Sequence, residues 1–162
     1  MDFIPQLSAR IGLADVKMLV ALVPTDLLMQ YIHHPDRVVS NNAAWVMTHK
    51  PDSEIRTLPQ DEIIDIILTT TQVTLRRLCL NLVDRQIIAA ESIRTDFLDF
   101  CLLHMTLPDE PVGVQALCMK LARRMCAFYP ELEQEFQQTL RLMHAEHYKP
   151  GLVHLIKKFL IV

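Results

Sequence analysis

Apolar side chains recur along the chain at the i, i+3, i+4, i+7 spacing of one helix face, and polar residues and prolines fall between the apolar runs. This pattern predicts helices over residues 12–22, 25–33, 36–49, 59–69, 72–85, 93–105, 111–128, 130–146 and 151–161. The breaks are His34-Pro35-Asp36, the Lys50 to Pro59 connection, Leu107-Pro108-Asp109-Glu110-Pro111 and Lys149-Pro150-Gly151. Proline suits the first turn of a helix and breaks its interior, so these positions read as turns and helix starts. The β-branched cluster Ile63 to Leu68 resembles a strand in composition, but Pro59 and the acidic pair Asp61-Glu62 before it mark a helix N-terminus. Nothing reads as a sheet, and the expected class is all-α.

One segment type repeats. Val39 to Met47, Val73 to Asn81, Val112 to Lys120 and Leu152 to Lys158 superpose on Ala44, Leu78, Leu117 and Leu155, which lie 34, 39 and 38 residues apart. That period belongs to stacked helix pairs. The positions three before, at, one after and four after the reference are mostly apolar: Leu75, Leu78, Cys79 and Leu82 in one copy, Val114, Leu117, Cys118 and Leu121 in the next. One buried stripe per copy follows, with Trp45 on it in the first. The helix preceding each stripe is plainest at Pro130 to Glu146, where Leu132, Phe136, Leu140 and Met143 share a face. The expectation is a single repeat domain over 1–162.

The segments Asn42-Ala43-Ala44-Trp45-Val46, Pro111 through Leu121 and Tyr129-Pro130-Glu131-Leu132 resemble the second helices and inter-repeat turns of HEAT and armadillo α-solenoids. Over residues 25 to 162 the chain is similar to small bacterial HEAT-like repeat proteins. The resemblance implies a right-handed α-α superhelix of about four helix pairs, of a kind that usually binds other macromolecules. One departure is visible. The basic residue common early in HEAT second helices is Asn42 and Gln115 in two copies and Arg76-Arg77 in only one, so an inter-repeat charge ladder is incomplete here.

At 100° per residue, positions two before, two after and six after the reference lie opposite the stripe. This ridge reads Asn42, Val46, Lys50; Arg76, Leu80, Asp84; Gln115, Met119, Arg123; and Val153, Lys157, Ile161. Two uses of it are open. Val46, Leu80 and Met119 form the floor of a concave groove for a protein partner, edged by Asn42, Arg76, Gln115, Arg123 and Lys157, or they pack between neighbouring second helices.

Composition narrows the function classes. The chain is 51% hydrophobic, enough for a core, yet its longest apolar run, Met18 to Val23, is far below a bilayer span. The N-terminus does not read as a secretory signal, and the expected location is cytoplasmic without membrane attachment. A net charge of −3 disfavours nucleic acid as the partner. The HEAT resemblance keeps a second reading in view, a nucleic-acid binder related to DNA alkylpurine glycosylases, for which Arg76-Arg77, Arg123-Arg124 and Lys157-Lys158 supply the charge and aromatic residues are scarce. Cys79, Cys101, Cys118 and Cys126 form no C-x-x-C pair and read as reduced core residues. His144 and His147, i and i+3 on a predicted helix with Glu146 beside them, are a two-ligand candidate for a metal or a solvated helix end. His33-His34, His49, His104 and His154 read as isolated side chains. With three glycines and no nucleophile-elbow, zinc-helix or phosphate-loop motif, no catalytic, cofactor or metal residue is assigned. The expected role is a non-catalytic adaptor for a protein segment.

Overall fold

The computed structural model describes residues 1–161, and every regular element among them is helical. Two compact units divide the chain, Met1–Gln86 and Ile87–Val162.

The first unit holds α1 (Ile4–Leu7), α2 (Leu13–Leu22), α3 (Thr25–Ile32), α4 (Arg37–Thr48), α5 (Asp52–Ile55), α6 (Gln60–Thr69) and α7 (Val73–Asp84). Local chemistry sets several starts. Asp36 Oδ1 accepts from the Val38 and Val39 amides at 2.8 and 3.2 Å, capping α4. Asp15 Oδ2 accepts the Gly12 amide at 2.8 Å ahead of α2. Helix α4 is the hub: α3 pairs with it, and α1, α2 and α7 also pack on it, while α6 pairs with α7. A helix touched from several sides needs apolar residues on several sides, and Val39, Ala43, Ala44, Val46 and Met47 of α4 are all buried. The small Ala43-Ala44 pair leaves room for these neighbours.

The second unit holds α8 (Thr95–His104), α9 (Val112–Cys126), α10 (Pro130–Leu142) and α11 (Pro150–Phe159), with 3-10 turns at Ala90–Ser92 and Ala145–His147. Its hub is α9, against which α8, α10 and α11 pack. Phe97, Cys101, Val114, Cys118, Leu121, Phe136 and Leu152 form its core.

All nine helices read from the sequence are present. Four details differ. The N-terminus and the Lys50 to Pro59 connection each contain an extra one-turn helix, α1 and α5, anchored by the fully buried Leu7 and Ile55. Helix α10 stops at Leu142 rather than 146, because the chain turns extended at Met143 (φ −85°, ψ 105°), whose side chain is buried. Leu117 and Leu155 are only half-buried, while the next residues, Cys118 and Ile156, are buried: the innermost line of α9 and α11 lies one position later than the superposition predicts. Helix α11 ends at Phe159 rather than 161, and Val162 lies outside the described residues.

Candidate functional site

The apolar middle row of the ridge in the first three copies is interior, while Arg123, Lys157 and Ile161 are exposed. Val46, Leu80 and Met119 have no exposed surface, so they offer no accessible floor in this structure. The polar residues of the ridge bond inward with a common logic. Asn42 Nδ2 donates to the Leu7 and Ala9 carbonyls at 2.8 and 3.0 Å, Arg76 donates to the Ile67 and Thr70 carbonyls, and Gln115 Nε2 donates to the Leu107 carbonyl at 2.6 Å. Each of these residues stands two before the reference position of its copy, and each meets backbone carbonyls at or just beyond the end of a preceding helix. Lys50 is buried and its Nζ donates to the Val20 carbonyl at 2.6 Å. On α9 the Arg123 guanidinium lies 4.4 Å from the centre of the Phe159 ring, a cation–π contact. Lys157 is exposed and borders a shallow hollow with Tyr148, Val153 and His154.

The candidate chemical groups are placed as follows. His144 and His147 do not share a helix face, because α10 ends before them; their rings meet edge to face at 6.3 Å. Among the described residues no group of three His, Cys, Asp or Glu side chains could hold a metal. The four cysteines are free and buried. Burial pushes the Cys79 thiol up to about 12; burial, then the Glu135 and Glu133 carboxylates, push Cys126 up to about 12; and burial together with a hydrogen bond to Cys118 raises Cys101 well above the ordinary thiol range. Thiols held protonated in this way are poor nucleophiles. His104 Nδ1 sits 2.7 Å from Glu110 Oε2, and its ring stacks on Phe100 at 3.8 Å, which pins the turn between α8 and α9.

The accessible feature that sequence reasoning missed lies in the first unit. Thr25, Asp26, Met29 and Gln30 of α3 and His33 just past its end lie on one side at helical spacing, and they face Thr57, Leu58 and Pro59 of the α5–α6 connection and Glu62 in the first turn of α6. Between them is a cleft of about 510 Å³. Met29 and Leu58 are 6% and 7% exposed and form its apolar floor; Asp26, Gln30, His33, Thr57 and Glu62 form an exposed polar rim. Polar contacts join the walls to each other and to the residues behind them. His33 Nε2 meets Glu62 Oε1 at 2.7 Å across the cleft, Thr25 Oγ1 donates to Glu54 Oε2 at 3.2 Å, and the buried Gln86 amide donates to the Ile55 and Leu58 carbonyls at 2.9 and 3.1 Å. The available sequence signal was the polar spacing Asp26, Gln30, His33 along an otherwise apolar helix. No reactive constellation accompanies it: the cleft can bind, orient and exclude water.

The repeated helix pairs, with second helices tied to the preceding helix ends, are matched by the family model of the HEAT repeat domain over residues 3–161. The chain belongs to the HEAT repeat family. No curated protein and no solved structure matches this HEAT repeat chain. Among the described residues, no helix is long and apolar enough to cross a membrane.

Proposed function

We propose that this HEAT repeat chain is a non-catalytic protein-interaction module that seats a partner segment in the cleft between α3 and the start of α6. The observation that carries the reading is the cleft's division into an apolar floor, Met29 and Leu58, and an exposed polar rim. Such a division is what segment recognition requires: burial supplies affinity and the rim supplies selection. HEAT arrays are generally interaction scaffolds, which agrees with this use. The nucleic-acid alternative has less to draw on, since of its basic residues Arg76 directs donors to backbone carbonyls and Arg123 stacks on Phe159, and the chain is net acidic. Four buried, reduced cysteines suit a reducing compartment and so a cytoplasmic setting.

The test is site-specific photo-cross-linking in the native cell, with benzoylphenylalanine at Gln30 on the rim and at Lys120, which is exposed on α9, as control. A discrete protein adduct from position 30 alone supports the reading. Nucleic-acid adducts, or adducts identical from both positions, overturn it.

A further inference from the structure

The α3–α6 cleft is lined by two carboxylates, Asp26 and Glu62, and by no lysine or arginine. We infer that it selects a partner segment carrying an arginine next to an aliphatic side chain, an inference that rests on the cleft being an interaction site.

Charge gives the first argument. A third carboxylate, Glu54, lies behind the wall, held by Thr25 and paired with Lys50 Nζ at 3.9 Å, so it adds little to the balance. The N-terminal turns of α3 and α6 also approach the cleft, but each contributes only about half a positive charge, less than the full charges of Asp26 and Glu62. His33 pairs with Glu62, so Asp26 is the carboxylate left without a cationic neighbour in the lining, and with His33 neutral the balance is negative and the cleft lies open to a cation.

Donor geometry gives the second. The rim offers acceptors at several angles: the Asp26 carboxylate, the Gln30 amide oxygen, the Thr25 and Thr57 hydroxyls and Glu62. His33 engages one oxygen of Glu62, Oε1, which leaves Oε2 for a second donor. A guanidinium, with five donors in a planar fork, meets dispersed acceptors better than an ammonium point charge does. The floor gives the third. Met29 and Leu58 are the buried part of the lining, with the exposed Pro59 beside them, so an aliphatic residue adjacent to the arginine is buried when the cation reaches the carboxylates.

The experiment follows backbone amide shifts of the full chain by NMR during titration with the blocked peptide acetyl-Gly-Leu-Arg-Leu-Gly-amide. Peptides with glutamate, alanine or lysine in place of arginine are run in parallel. Saturable shifts at Thr25, Gln30, His33 and Leu58 are expected with the arginine peptide, weaker ones with lysine and none with glutamate. Asp26→Asn and Glu62→Gln should each weaken binding by about threefold while the remaining spectrum keeps its dispersion. Equal binding of the glutamate, alanine or lysine peptide at these residues overturns the arginine selection and leaves the cleft as an interaction site. Unchanged affinity in both variants also overturns it. If no peptide moves these resonances at millimolar concentration, both the selection and the interaction reading fall.

Discussion

The side-chain amide of Gln115 donates to the carbonyl of Leu107 at 2.6 Å, joining the first turn of α9 to the chain leaving α8. Gln115 is 3% exposed, so its removal opens a buried polar gap beside a carbonyl that keeps only the Glu110 amide at 3.1 Å. Gln115→Ala should therefore cost about 1–3 kcal/mol in urea unfolding, and Asn42→Ala, which frees two carbonyls near α1, a similar amount. A loss within about 0.5 kcal/mol for both would show that the ridge is not a structural tie.

Core position outranks aligned register. Leu82 has no exposed surface, whereas Leu155 is half-buried. Leu82→Ala should destabilise by about 2–5 kcal/mol, and Leu155→Ala by distinctly less. Equal losses would contradict the one-residue offset seen in α11.

How much of this was legible follows from how local each cause is. Pro59, Pro111, Pro130 and Pro150 act on their own turns, so the nine long helices could be read directly. The innermost line of α9 could not, because a helix apolar on several sides gives no unique centre, and Leu117 and Cys118 look equally central. Asn42, Arg76 and Gln115 were visible as one register position; their targets, such as Leu7 for Asn42 at a separation of 35 residues, exist only once the helices have packed. The cleft was the least legible. His33 and Glu62 are 29 residues apart, and each looks like an ordinary surface side chain until α3 and α6 meet.

The buried thiols give a pH dependence of definite sign. Cys79 is raised from about 9 to about 12 by burial, so the folded chain holds its proton while the unfolded chain releases it. Its contribution to stability is full below about pH 9 and is lost as pH rises towards about 12. Cys79→Ala should flatten the fall in unfolding free energy across that window by about 1.4 kcal/mol per pH unit. At neutral pH none of the four thiols should react with Ellman's reagent before the protein unfolds.

The His33–Glu62 pair spans the cleft with side chains 45% and 46% exposed. Solvent screens such a pair, and Glu62→Gln should lower stability by less than about 1 kcal/mol. A larger loss by thermal melting would make the pair a strut of the fold rather than part of a binding rim.

The central claim is that partners meet the α3–α6 cleft and not the ridge of the second helices. The most direct measurement is the affinity, by titration calorimetry, of the protein partner cross-linked at position 30 for two variants: Gln30→Trp with Thr57→Trp, which fills the cleft, and Arg123→Glu, which reverses charge on the ridge. The account predicts at least a tenfold loss for the filled cleft and an unchanged Kd for Arg123→Glu, with the same helical circular dichroism in both. Full binding by the filled cleft together with loss in Arg123→Glu would contradict it.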